Sequence, residues 1–356
     1  MKNPFKNLFR ASLDEKLEQL ETMEAGPSLK LSLGFLGATL LMALVLTAGL
    51  GFHWSSEPDL FDQTNGSLKA LRTSTDVTVT GTSTVEALSL LGETLLTKPG
   101  GYLSNDRLPP GIFLDNLPNW EFGVLVQIRD LTRALRNTLS RSQSQSSEDP
   151  DLVSAENQFY FDNNSWILPA TEDEYRKGLT ALNDYHKRLS DPRQQQAQFY
   201  ARADNLSLWL GEVETRLGSL SQRLSASVGK RQLDTGLAGD SAAEQSTATA
   251  IENEIKTPWL ELDDVFYEAR GSTWALIHLL RAVETDFAPV LEKKNATVSL
   301  QQIIRELEPT QEKLWSPLIL NGSGLGVLAN HSLVMASHIS RANAAISDLR
   351  QLLEQG

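Results

Sequence analysis

Residues 262–290 read Leu262-Asp-Asp-Val-Phe266-Tyr-Glu-Ala269-Arg-Gly-Ser-Thr273-Trp-Ala-Leu276-Ile-His-Leu-Leu280-Arg-Ala-Val283-Glu-Thr-Asp-Phe287-Ala-Pro-Val290. The numbered residues are apolar or small and recur in steps of four and three throughout. A 3.5-residue period makes a helix with one continuous seam, and such a seam is buried by other helices at shallow crossing angles. Leu206, Leu210, Val213, Leu217, Leu220 and Leu224 repeat the pattern, as do Leu325, Leu328, Ser332, Met335, Ile339, Ala342, Ile346, Leu349 and Leu353. Against these stands one short β-like alternation, Asp76–Thr84. The expected class is all-α, a helical bundle.

Outward from the seams, local signals predict further helices. Ser83 is placed to cap a helix over Val85–Leu96, which Lys98-Pro99-Gly100-Gly101 ends. A helix is expected from Asn119 to about Ser140, with Val124, Ile128, Leu131 and Leu135 on one face. Ser142–Pro150 reads as a polar linker, and Thr171-Glu-Asp-Glu174 as a capping box opening a helix to about Leu189. Gly229–Thr249 has no apolar period and reads as a flexible connector.

Between Lys30 and Glu57 no charged residue occurs, and Leu31–Phe52 is almost wholly apolar. That length crosses a hydrocarbon core of about 30 Å, with His53 and Trp54 as an interfacial exit. A cleaved signal peptide, with Gly49-Leu50-Gly51 as its cleavage site, is the rival. Its apolar region is typically only ~7–15 residues behind a short basic leader, whereas this leader carries Asp14, Glu15, Glu18, Glu21 and Glu24. Lys2, Lys6, Arg10, Lys16 and Lys30 precede the span, and no Lys or Arg occupies residues 51–68. The positive-inside rule then expects 1–28 in the cytoplasm, 29–54 as the transmembrane helix and 55–356 outside. Six Asn-x-Ser/Thr sequons lie in that exported part, at Asn65, Asn163, Asn205, Asn295, Asn321 and Asn330. A lumenal domain of this size without cysteine would be unusual, so the expected compartment is the bacterial periplasm and the membrane the inner one.

The 356 residues contain no cysteine, which excludes disulfides, thiolate metal sites and cysteine nucleophiles. The formal charge of -13 argues against nucleic acid as a partner. His278, His331 and His338 suggest a metal site across two packed helices. The Glu-x-x-His pairs of di-iron bundles and the His-Glu-x-x-His motif are absent, so surface or structural histidines are the plainer reading. Glu261, Asp263, Asp264 and Glu268, with Tyr267 and Arg270, read chiefly as a solvated helix face, with acid–base or cation chemistry as the alternative. Asn321–Gly326 reads as a tight turn rather than an anion site, having neither a preceding strand nor a phosphate-loop lysine. No cofactor motif and no Gly-x-Ser-x-Gly occurs. The segment Gly101–Arg129 is the least explained by any helical period. Within it Tyr102, Trp120 and Arg129 are the candidate partner-binding residues, with a cap over the bundle end as the competing role.

Several stretches resemble a known bacterial family: Gly101-Tyr-Leu-Ser-Asn-Asp106, Pro118-Asn-Trp-Glu121, Gln127-Ile-Arg-Asp130, Thr257-Pro-Trp259, Asp263–Arg270, Ser299–Leu307 and Asn330–Ser337. The resemblance is to domain-of-unknown-function family 2333 and covers most of residues 28–356. It implies a single-anchor envelope protein of a Gram-negative bacterium and carries over no catalytic residue. Three roles follow as expectations: a non-enzymatic scaffold that binds an envelope protein partner, an envelope hydrolase or metal enzyme, and a periplasmic ligand sensor.

Overall fold

A computed structural model describes residues 27–61, 79–142, 147–191, 197–233, 252–316, 318–324 and 326–355. The elements in chain order are α1 (Pro27–Trp54), α2 (Thr82–Thr97), α3 (Asn116–Ala134), α4 (Pro150–Phe159), α5 (Thr171–Ser190) and α6 (Ala203–Ser225). After them come β1 (Lys230–Leu233), β2 (Glu252–Ile255), α7 (Leu262–Asp286), α8 (Ala288–Lys293), α9 (Thr297–Leu307) and α10 (His331–Glu354). The chain forms two units, one up to His53 and one from Trp54 onward. In the first, α1 is apolar enough to cross a membrane over the 20 residues Phe35–Trp54, with mean hydropathy 2.1. Its threonines are satisfied locally: Thr39 and Thr47 donate to the Phe35 and Ala43 carbonyls at 2.8 Å, which suits an environment without water.

The second unit is organised around α7. Every residue from Ala269 to Leu280 is buried, including His278 and the residues between the seam positions. A helix apolar all round must be enclosed, and α2, α3, α6, α9 and α10 all pack against it. Helices α3 and α7 cross at reciprocal glycines. A Cβ on Gly123 would lie 2.1 Å from the Glu268 carbonyl oxygen, and one on Gly271 would lie 2.0 Å from that of Trp120. No other residue fits so close a backbone approach. The flanking Trp120 and Trp274 rings meet at 5.0 Å. Helices α6 and α10 pair antiparallel, with Ser221 bonded to Ser340 at 2.6 Å and, one helix length away, Ser207 to Glu354 at 3.2 Å.

Several sequence expectations need correction. Leu328 is exposed and α10 starts at His331, so the third buried seam begins at Ser332 (Leu325 lies outside the described residues). The helix starts there because Asn330 accepts from Leu333 N at 2.8 Å and donates to Gly322 O at 2.6 Å, closing residues 321–330 as a separate loop. Thr82–Thr84 is helix rather than strand, whereas 76–78 lie outside the described residues. The cap of α2 is neither Ser83 nor local. The Asp286 carboxylate, at the end of α7, accepts from Thr84 N and Oγ1, both at 2.7 Å.

Helix α5 forms without the expected capping box. Thr171 donates to Asp162 O at 2.7 Å, and Glu174 pairs with Lys177 at 2.6 Å. Helix α4 was not anticipated beyond the polar linker. Asp149 caps it, Pro150 starts it, and it buries Leu152, Ala155 and Phe159. Residues 230–233 of the supposed connector form an antiparallel ladder with 252–255, because backbone pairing needs no apolar period. The remaining connector residues, 234–249, lie outside the described ones.

Hydrogen bonds gather a set of loops at one end of this unit. Trp54, where the chain arrives from α1, lies beside Gly100 at φ 85°, and a Cβ on Gly100 would sit 2.8 Å from the Trp54 ring. Glu57 pairs with Arg270 at 2.8 Å, and Arg270 also donates to the Thr310 and Glu312 carbonyls at 2.9 and 3.0 Å. Asn119 donates to Asp264 at 2.6 Å, which brings the starts of α3 and α7 together. Thr257 N donates to Ala226 O at 3.0 Å and Asn321 Nδ2 to Ser227 O at 2.9 Å. The opposite end gathers residues 79–84, 139–142, 147–150, 186–191, 197–205, 286–296 and the C-terminus of α10. Its ties include Asp286 on Thr84, Arg188 on Asp149 at 2.7 Å, and Lys294 on Gln355 O at 2.7 Å.

Candidate functional site

The Lys98 ammonium lies 2.5 Å from Glu121, and both side chains are 0% exposed. Glu121 also accepts from the backbone N–H groups of Leu103 and Ser104, each at 2.8 Å, and from Ser104 Oγ at 2.5 Å. Burial raises the Glu121 carboxyl above its ordinary range, a rise that Lys98 and these donors lessen without cancelling. Every oxygen of this buried carboxylate is engaged, so the group fixes the loop after α2 onto the start of α3. It offers no acid to a substrate.

Tyr102 is buried, with its hydroxyl donating to Asn163 O at 2.9 Å and its ring edge-on to Tyr175 at 5.6 Å. Burial first, then Tyr175 and Glu121, raise the Tyr102 hydroxyl well above the ordinary tyrosine range. Trp120 has 0% exposure in the core. Arg129 donates to the Phe159 carbonyl at 2.7 Å and the Phe161 carbonyl at 2.9 Å, satisfying oxygens left over where α4 ends. Tyr102 and Trp120 are buried and Arg129 is half-buried. Tyr102 and Arg129 tie the loops 101–115 and 160–170 together, and Trp120 packs on Trp274.

Asn105 donates to Ser165 O at 2.8 Å and Arg107 to Asn164 O at 3.3 Å, binding these loops side by side. Their tips carry exposed Ile112, Phe113, Trp166 and Leu168. The segment 101–129 singled out in the sequence includes Phe113, whereas Trp166 and Leu168 lie outside it. The available signal was bulky apolar residues among Pro, Gly and Asn, outside any helical period.

The three histidines do not converge. His278 is buried against Phe61 and Trp274, with ring centroids at 4.2 and 4.8 Å. Burial, then the charge of Arg281, hold its pKa down at about 3, so it is neutral at ordinary pH. His331 accepts from Leu320 N at 3.2 Å, and His338 faces Arg341 at 2.8 Å. No group of three His, Asp or Glu residues that could hold a metal occurs among the described residues.

In the acidic block, Glu268 pairs with Arg223 at 2.5 Å, and Arg270 turns inward to Glu57. Burial, then Asp263, Asp115, Glu261 and Glu268, lift Asp264 to about 6. At the Gly-rich turn, Gly322 N donates to Ala329 O at 2.9 Å. A cleft of about 510 Å³ is lined by Arg133, Asn137, Trp209, Glu212 and Arg350. That volume is within the usual range of small-molecule sites. Buried Trp209 Nε1 and Glu212 Oε2 there have no hydrogen-bond partner.

Searches of curated proteins and of solved structures returned no match. A family model matches residues 28–356, from the apolar helix through α10. The chain belongs to domain-of-unknown-function family 2333, described as uncharacterized proteins conserved in bacteria.

Proposed function

We propose that the chain is a single-span inner-membrane protein with a cytoplasmic N-terminus. Its helical domain stands in the periplasm and serves as a scaffold that binds an envelope protein partner, without catalysing a reaction. The observation that carries this reading is the strap from Trp54 to Phe61. Glu57 is clamped by Arg270, Trp274 Nε1 donates to Asp59 O at 3.3 Å, and Phe61 packs on Trp274 and His278. A helical domain that ties down its own first residues with buried ionic and aromatic contacts suits a scaffold.

A reporter fused after Gly356 should be active only in the periplasm. Crosslinking followed by pull-down of the full chain from membranes should recover one defined envelope protein. Cytoplasmic reporter activity would overturn the topology, and crosslinks confined to abundant bystanders would overturn the scaffold role. The cleft at Arg133, Glu212 and Arg350 favours ligand sensing as the second reading. Ligand-dependent melting abolished by Glu212→Gln would support it.

A further inference from the structure

We propose that the loop end beside Trp54 is a membrane-contacting face, whose tips insert into the outer surface of the same phospholipid bilayer that α1 spans. The inference goes beyond the scaffold role and rests on the reading of α1 as a membrane helix.

Three observations carry it. The first is distribution. Outside α1, the exposed large apolar side chains among the described residues fall at this end, apart from Leu208, Val298 and Val334. Phe113 is 74% exposed, Leu168 90%, Trp259 73% and Trp315 96%. The second is the use of tryptophan. Trp120, Trp209 and Trp274 are core residues, whereas Trp166, Trp259 and Trp315 are exposed, all three at this end. Tryptophan favours the headgroup zone, where its ring is buried and its N–H stays hydrated.

The third is position. Trp54 contacts Gly100 at the root of the first loop, Arg270 links Glu57 to the chain leading to Trp315, and Asn119 with Asp264 brings in the turn that holds Trp259. The face therefore adjoins the point where the chain leaves its membrane helix, and the tether holds it at high effective concentration near lipid. Water is a poor neighbour for so much apolar surface. A second protein is a poorer fit than lipid, because the apolar side chains stand on separate loop tips with Asn, Ser and Pro between them. Fluid lipid closes around separate protrusions, whereas a partner of fixed shape needs one continuous patch.

The test uses the full chain in phosphatidylcholine liposomes doped with a lipid carrying a photoactivatable diazirine on its acyl chain. Labelled residues are mapped by mass spectrometry. Expected are labels throughout α1 and at 107–113, 166–168, 259–260, 315–318 and 327–328, with none at 79–84, 139–142 or 286–298. Combined Phe113→Ser, Trp166→Ser, Trp259→Ser and Trp315→Ser should sharply reduce loop labelling while α1 labelling and the melting curve stay unchanged. Labels confined to α1 would overturn the inference and leave the span intact, and an unlabelled α1 would overturn the span itself. Loops protected from hydroxyl radicals in native membranes yet unlabelled in liposomes would assign the face to a protein and also overturn the inference.

Discussion

The two ends of the helical unit are built from the same parts, helix termini and short loops, yet they meet their surroundings differently. At the far end the termini are closed by polar groups: Asp286 on the start of α2, Arg188 on Asp149 and Asp151, and Tyr185 on Gln198 O at 2.6 Å. Large apolar side chains reach solvent there at Leu208 and Val298. At the Trp54 end the polar closure is placed deeper, in the Lys98–Glu121 and Glu57–Arg270 pairs, and the loop tips above it are aromatic and aliphatic. A soluble domain gains nothing from that asymmetry. A domain with one end against lipid needs buried polar ties to fix its loops and apolar tips to contact the bilayer.

The comparison breaks most completely if the common core fails. Leu280→Asp places a charge in the enclosed helix that both ends share. The expected cost is several kcal/mol, comparable with the stability of a whole domain. Circular dichroism should show loss of cooperative melting, and an unchanged curve would contradict the central placement of α7.

Next in size is Lys98→Met, which leaves Glu121 buried without its cation. About 3–5 kcal/mol should be lost, with proteolysis opening first at 98–115 while 139–150 stays protected. The loss should shrink at low pH. A carboxyl raised in the folded state binds its proton more tightly than in the unfolded chain, so acid relieves the penalty.

Arg129→Ala should cost about 1.5–3 kcal/mol through its lost charge-assisted bonds to Phe159 O, Phe161 O and the Tyr175 hydroxyl. Amide exchange should rise at 160–165 and not at the far end.

His278 gives a pH test of the strap. Its folded pKa of about 3 lies below the ordinary histidine value of 6.5, so the stability it contributes is present above 6.5 and lost as pH falls from there towards 3. The stability difference between wild type and His278→Gln should follow that window, and a difference independent of pH would contradict the buried neutral ring.

Smallest in stability are the tips. Phe113→Ser and Trp166→Ser should each change melting by about 0.5 kcal/mol or less while removing lipid contact. Leu208→Ser and Val298→Ser at the far end should change neither.

How much of this was legible follows from what periodicity can report. The seams of α6, α7 and α10 were readable because burial repeats along them every 3.5 residues. Periodicity under-read α7 all the same, since Ile277, His278 and Leu279 are as buried as the seam. Helix α4 escaped because a ten-residue helix that buries three side chains leaves too short a pattern. The cap of α2 escaped because its Asp286 is 202 residues away.

At the candidate site the segment was readable and the burial of its residues was not. Trp120 and Trp166 are the same residue type with opposite surroundings, and composition cannot tell which one the bundle encloses. Helical phase separates them after the fact: Trp120 faces Trp274 from inside α3, whereas Trp166 belongs to no helix.

The most direct measurement of the central claim is tryptophan quenching by lipids brominated near the headgroup, on the full chain in liposomes. It compares wild type with a variant carrying Trp166→Phe, Trp259→Phe and Trp315→Phe. The account predicts strong quenching of the wild type that falls, in the variant, to the contribution of Trp54 alone. Equal quenching of the two proteins would show that the exposed tryptophans never meet the bilayer and would contradict it.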